Sequence, residues 1–292
     1  RDIAELLAAR LRGRAAGPRH GDREGTLSSV EVAGPGFINF TLSRDRVLRE
    51  LERVACEGQN YGRWAFGEGK RYNVEFVSAN PVGPLHVGHG RWAALGDALC
   101  RLLEAVGYDV DREFYLNDYG TQMEVFAASV EARYLELAGQ EVEFPAEGYH
   151  GSYVIDIARA LLEEDGGRCV DMPSTERRDE LGRRAYRIAL AHIRESMLSF
   201  GVHFTTWFSE SDLQRNGAVE KEVRNLLGAG LAYEKDGAVW MATSLYGDDK
   251  DRVLVRDDGR PTYFLADIAY HHDKIERGFD LLINVFGADH GG

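Results

Sequence analysis

Ala79-Asn80-Pro81-Val82-Gly83-Pro84-Leu85-His86-Val87-Gly88-His89 is the stretch on which the fold turns. Before it, Tyr72–Ser78 reads as a buried strand. After it, Gly90–Val106 reads as a helix, because Trp92, Leu95, Leu99, Leu102, Leu103 and Val106 recur with the period of one buried face. Gly107 sits where a helix C-cap is expected. A second strand, Asp111–Leu116, follows. Strand, helix and strand at this spacing form a βαβ unit, hence a parallel sheet with helices on its faces. Ligands of such sheets bind beyond the carboxyl ends of the strands. Both the histidine turn and Asn117-Asp118 fall there.

Two histidines three apart, at a strand-to-helix turn, suit polyphosphate chemistry. A helix N-terminus offers unpaired N–H groups and a partial positive charge. Gly88 has no Cβ, so a ligand can approach the backbone. His86 and His89 can donate to phosphate oxygens as charge builds there. A Gly/Pro-rich turn with incidental histidines is the alternative, and for a bare H-x-G-H match it is the better one. The preceding strand and following helix weigh against it.

The chain has 292 residues, enough for one large or two ordinary domains, and a net charge of −13. So acidic a surface does not advertise non-specific nucleic-acid binding. Arg10, Arg12, Arg14, Arg19 and Arg23 cluster near the start; such a cluster is most often a solvated helix face. Cys56, Cys100 and Cys169 are odd in number and lack CxxC spacing, which argues against a disulfide framework and a structural zinc site. Cys100 reads as core. No apolar run is long enough to span a bilayer and no signal peptide is evident, so a cytoplasmic location is expected. Arg1 starts mid-helix and Gly292 ends within a motif, so a piece of a longer protein is expected.

The longer run Val74-Glu-Phe-Val-Ser-Ala-Asn-Pro-Val-Gly-Pro-Leu-His-Val-Gly-His-Gly-Arg91 resembles bacterial arginyl-tRNA synthetases, and the histidine pair resembles the "HIGH" motif of class I aminoacyl-tRNA synthetases. Tyr115–Gln122, Gly148–Tyr153, Tyr263–Asp267 and Val285–Gly292 extend the likeness through nearly the whole chain, and Gly34–Phe40 resembles the end of the family's N-terminal domain. The resemblance implies an α/β fold: a Rossmann-like parallel sheet with helical and small β insertions, preceded by a small α+β domain. The expected division is 1–60 for the remainder of that N-terminal domain, 61–126 for the first half of the catalytic domain, 127–200 for a mainly helical insertion and 201–292 for the second half, with a small β insertion at 231–262. Helices are expected at Asp2–Arg12, Arg44–Glu57, Thr121–Ala138, Ser152–Glu164, Ser174–Phe200, Ser211–Leu227 and Leu265–Arg277. Strands are expected at Leu27–Val32, Phe37–Leu42 and Leu281–Phe286.

The resemblance implies an ATP-dependent arginine–tRNA ligase, with ATP–Mg2+, L-arginine and tRNA(Arg) as substrates, no tightly bound cofactor or dedicated metal site, no membrane partner and a monomeric state. His86 and His89 would be catalytic, and Pro84, Gly88, Asp289 and His290 would join them at ATP. A guanidinium is planar, always charged and matched by carboxylates in a forked geometry, so its pocket must hold acid. Glu75, Tyr263 and Asp267 match the family's guanidinium-binding positions, and Asn80 its head-group position. Read alone, Glu75 would form a salt bridge to a structural Lys or Arg, and Asp267 would be an N-cap or first-turn acid. Asn117, Asp118 and Gln122 have helix capping as a sufficient account. Trp92, Trp207 and Trp240 read as core, and His271-His272 as a solvated pair on different helix faces. A lysine loop like KMSKS and an anticodon-binding domain are absent from 1–292, so this piece alone is expected to be inactive. Another HIGH-type nucleotidyl transferase, or a silent homologue acting as a binding module, are the competing readings.

Overall fold

The computed structural model describes residues 1–15 and 26–287. They form two compact units, Arg1–Arg63 and Trp64–Gly292.

In the first unit, helix α1 (Asp2–Ala15) precedes strands β1 (Leu27–Ala33) and β2 (Phe37–Leu42) and helix α2 (Arg44–Glu57). The strands pair antiparallel with Val30 opposite Phe40. Gly34, at φ 54°, enters the tight turn between them. Ala4, Ala8 and Val30 are buried, and Arg12 Nε donates to the Val30 carbonyl at 2.7 Å. Of the arginine cluster, Arg19 and Arg23 lie outside the described residues. Ser43 caps α2 by accepting from the Arg46 amide.

The second unit opens with β3 (Arg71–Phe76), α3 (Val87–Ala105) and β4 (Asp109–Leu116). Helices α4 (Thr121–Leu137), α5 (Ser152–Asp165) and α6 (Ser174–Ser199) come next, then β5 (Thr206–Ser209), α7 (Glu210–Arg215) and α8 (Ala218–Gly228). Strands β6 (Ala232–Lys235), β7 (Ala238–Met241) and β8 (Arg252–Val255), helix α9 (Tyr263–Glu276) and strand β9 (Leu281–Val285) complete it. The main sheet has the order β5-β4-β3-β9, and its three pairings are all parallel. β6, β7 and β8 form an antiparallel meander.

Strand alternation assigns the two faces of the sheet. Val74 and Phe76 of β3 and Phe114 and Leu116 of β4 point to one core with Ala93 and Cys100 of α3 and Ile193 and Met197 of α6. Gly96 lets α3 lie against β3: a Cβ there would stand 2.2 Å from the Phe76 ring. Burial pushes the Cys100 thiol up to about 12, and all three cysteines are free. Glu75, Glu113 and Tyr115 point to the opposite face, where Tyr270 and Lys274 of α9 cover them. Helices α4, α5 and α6 bury a second core around Phe126, Tyr134, Ile157, Leu161 and Leu181.

Three elements differ from expectation. Strand β3 ends at Phe76, because Val77 and Ser78 take φ of 70° and 44° and the Ser78 amide bonds back to the Phe76 carbonyl. A β-branched residue at positive φ is strained, and no propensity would place it there. The single helix expected at Ser211–Leu227 is two, α7 and α8, broken at Gly217 with φ 67°. Strand β5 was not foreseen, since four residues give too short an alternating pattern against a helical background.

Candidate functional site

The motif forms the start of α3 itself. His86 is the N-cap: its Nδ1 accepts from the Gly88 amide at 3.1 Å, while His89 Nδ1 accepts from the His86 amide at 3.1 Å. This is a reciprocal capping box built from two imidazoles, where Ser and Glu more often serve. The helix therefore begins three residues earlier than the hydrophobic period placed it. The rings stack with centroids 3.8 Å apart, and His89 meets the Trp92 ring edge-on at 5.6 Å. Gly88 permits this fold-back: a Cβ there would stand 2.9 Å from His86 Cε1. Because both Nδ1 atoms accept, each neutral ring carries its proton on Nε2 and keeps that donor for another partner. Burial, then the neighbouring His86, pushes His89 below its ordinary value, which favours the neutral form.

A cleft of about 910 Å³ opens beyond the carboxyl ends of β3, β4 and β9. Of the expected residues, Glu75, Asn80, Pro84, His89, Tyr263 and Asp267 line it. His86 is exposed beside it. Asp289 and His290 lie outside the described residues, which end at Gly287 on the cleft wall.

Glu75 is 2% exposed and held from several sides. Its Oε2 accepts from Lys274 Nζ at 2.6 Å and from the Tyr270 hydroxyl at 3.0 Å, and its Oε1 from Ser78 Oγ at 2.9 Å. The structural lysine partner expected from the bare sequence is therefore present, although Glu75 also borders the cleft. Ser78 Oγ in turn accepts from the Tyr115 amide at 3.1 Å, so the strained Val77-Ser78 turn fixes both strand ends. Tyr270 bridges to Glu113, and burial with the two carboxylates holds its hydroxyl far above the usual tyrosine range.

Asp267 is the fifth residue of α9, four after Tyr263 and on the same helix face. It is neither the N-cap, which is Thr262, nor in the first turn, so the capping account of it fails. Its Oδ1 lies 3.3 Å from His271 Nδ1. His271 and His272 are not a solvated pair: His272 Nδ1 is 2.6 Å from Glu222 Oε2, while His271 turns to Asp267 and Asn284.

Several residues in and around the cleft make contacts that the sequence did not announce. Asn80 Nδ2 donates to Gln122 Oε1, which orients the Asn80 amide. Asp118 accepts from Tyr186, Ser209 and the Ser211 amide, each at 2.8 Å, and so caps α7 from a distance. Glu210, first residue of α7, is buried in the cleft wall; burial raises its carboxyl, and the Tyr115 hydroxyl bond partly offsets this. Its signal, an acid directly after a short strand, was hidden with β5. Trp92 borders the cleft as well as the core. Among the described residues, no group of three or more His, Cys, Asp or Glu could hold a metal ion, and no helix is long and apolar enough to cross a membrane.

Known proteins give the geometry its context. The family model for class I tRNA synthetases (R), catalytic domain, matches residues 50–288. An arginine–tRNA ligase of Carboxydothermus hydrogenoformans is 54% identical over 266 residues, covering 91% of this chain and 48% of its own length. One from Desulfitobacterium hafniense is 48% identical over 293 residues, covering 100% of this chain and 50% of its own. The chain thus spans about half the length of the curated relatives it matches. A solved Campylobacter jejuni structure assigned to the arginyl-tRNA synthetases superposes with TM-score 0.79 and 32% identity, over 86% of this chain and 55% of that one. Thermus thermophilus arginyl-tRNA synthetase gives TM-score 0.58 and 25% identity, over 92% of this chain and 44% of that one. With its parallel sheet, imidazole-capped helix and acid-lined cleft, the chain belongs to the arginine-type class I tRNA synthetase catalytic-domain family.

Proposed function

We propose that the chain carries the amino-acid-activating centre of an arginine–tRNA ligase, which converts L-arginine and ATP to arginyl-adenylate and pyrophosphate and then transfers arginine to tRNA(Arg). The observation that carries this reading is one cleft in which His89 of the imidazole cap, with His86 beside it, faces the acids Glu75, Glu210 and Asp267. A carboxylate oxygen of arginine attacks the α-phosphorus, the bond to the pyrophosphate oxygen breaks, and pyrophosphate leaves. Positioning and charge stabilisation suffice for such a displacement, so no side chain needs to become a covalent nucleophile. The Nε2–H donors of His86 and His89 meet phosphate charge, with Pro84, Gly88, Asp289 and His290 completing the chain's ATP-facing set. Magnesium arrives with ATP and needs no protein cage.

The guanidinium is held by Asp267 with Tyr263 stacked or hydrogen-bonded beside it, and by Glu75, whose charge Lys274 already balances. Asn80, oriented by Gln122, faces the head group. Residues 1–60 then belong to an N-terminal domain, 61–126 and 201–292 to the halves of the catalytic domain, 127–200 to the helical insertion and 231–262 to the β insertion. A cytoplasmic monomer is the state proposed. The test is pyrophosphate exchange by the full-length protein across the twenty amino acids, with tRNA present. Arginine alone should support exchange; exchange driven by another amino acid overturns the reading.

A further inference from the structure

A single hydrogen-bonded chain runs from the Glu75 carboxylate to the Asp267 backbone carbonyl and ends beside the Asp267 carboxylate. Glu75 and Asn284 are register partners on the adjacent parallel strands β3 and β9, so their side chains share a sheet face. Helix α9 lies over that face and offers it Asp267, His271 and Lys274, spaced as one helical stripe. Lys274 Nζ, fully buried, donates to Glu75 Oε2 at 2.6 Å and to Asn284 Oδ1 at 3.1 Å. Asn284 Nδ2 lies 2.9 Å from His271 Nε2, and His271 Nδ1 lies 2.9 Å from the Asp267 carbonyl and 3.3 Å from its carboxylate.

The donors and acceptors admit one arrangement. An ammonium only donates, so Asn284 must turn its oxygen to Lys274 and its NH2 to His271. A carbonyl only accepts, so His271 must donate from Nδ1 and accept at Nε2. In its neutral form the ring is thereby fixed as the Nδ1–H tautomer with its N–H beside Asp267, whose carboxylate raises the ring above its ordinary value against the opposing effect of burial. We infer that Asn284 and His271 are positioning residues that hold Glu75 and Asp267 as one matched pair for a planar cationic ligand. This rests on the proposed arginine reading of the cleft. Neither residue needs to touch the ligand. A forked guanidinium contact is steep in angle, so a carboxylate freed to rotate loses most of its advantage.

The experiment uses the full-length protein with His271→Phe, Asn284→Leu and the double variant, in arginine-dependent pyrophosphate exchange. Each single change should raise the arginine KM about tenfold, the scale of one lost charge-assisted hydrogen bond. The ATP KM and kcat should stay within about twofold. Because both changes cut the same chain, the double variant should be no worse than the worse single one. Multiplying effects, a parallel shift of ATP KM and kcat, or unchanged arginine KM would each overturn the assignment. Imidazole nitrogen NMR on the unsubstituted protein should show His271 protonated at Nδ1 and bare at Nε2, a readout that does not depend on any variant folding; the opposite tautomer overturns the chain. No arginine-dependent exchange in the unsubstituted protein would remove the proposed function and this inference together, whereas normal exchange with indifferent variants removes the inference alone.

Discussion

His86 and His89 each use one ring nitrogen to begin a helix, and on the proposed reading the other meets phosphate. Replacing either by Ala removes the cap acceptor and the donor together. His86→Ala should cost about 1 kcal/mol, the usual worth of an N-cap. It should also slow adenylate formation about 10²-fold, the scale of one charge-stabilising donor. His86→Asn separates the two effects: Asn is a good cap, so the melting temperature should recover while exchange stays slow. Recovery of both would mean that the imidazole serves only the helix. Lys274 offers a second test. Glu75 and Lys274 are 3% and 0% exposed at their side chains, so Lys274→Met leaves a buried charge without its counter-ion. The expected loss is about 3–5 kcal/mol. All four tryptophans, Trp64, Trp92, Trp207 and Trp240, lie in the second unit, so urea unfolding followed by their fluorescence reports on it. Adding Glu75→Gln to Lys274→Met should recover most of the loss, and an unrecovered double variant would place the cost in packing instead. The histidines and Glu75 stand out in the sequence because polar residues interrupt an apolar pattern. Lys274 does not, since its partner Glu75 lies 199 positions away in the chain, and Asn284 does not, since its partners on α9 become visible only once the strand and helix pack.

At the level of elements, periodicity found β3, α3 and β4 because each is long enough to show its repeat and Gly107 closes the helix at φ 97°. It misplaced the start of α3, where imidazoles do the work of Ser and Glu, and the end of β3, where Val77 and Ser78 turn to positive φ and Ser78 Oγ bonds Glu75 and the Tyr115 amide. The close approach of these elements is testable. Gly96→Ala puts a methyl 2.2 Å from the Phe76 ring, so one side must move, and overpacking of this kind costs about 1–3 kcal/mol despite the better helix propensity of Ala. A stabilised variant would show that α3 can shift freely. The cap also predicts a pH dependence. His89 sits below its ordinary value of 6.5 in the folded protein, so the unfolded chain binds the proton more readily. Stability from this group is therefore fully present above about pH 6.5 and is lost as pH falls through the lower folded value. Protection of the His86 amide, which donates to His89 Nδ1, should fall relative to its intrinsic exchange rate on acidification through that range, and His89→Asn should flatten the response.

The whole molecule carries a net charge of −13, yet the acids that the proposed function assigns to recognition are few and line one cleft. Bulk charge therefore says little about the ligand, while the placement of Glu75, Glu210 and Asp267 says much. Asp267 bears the central claim, because its position in the second turn of α9, past the cap and first turn, removes the capping role that would otherwise explain it. The decisive measurement is pyrophosphate exchange by the full-length protein and its Asp267→Asn variant, with tRNA present and with arginine or citrulline as substrate. Citrulline has the shape of arginine but a neutral urea, and a site built for charged hydrogen bonds discriminates steeply against it. Asp267 is exposed in the free chain, with 60% of its side chain accessible, so the loss is that of a charged hydrogen bond, about 1.5–3 kcal/mol, and the variant should use arginine about one to two orders of magnitude less well. The gap between arginine and citrulline should narrow with it. A variant that exchanges arginine as well as the unsubstituted protein would contradict the account and put guanidinium recognition elsewhere.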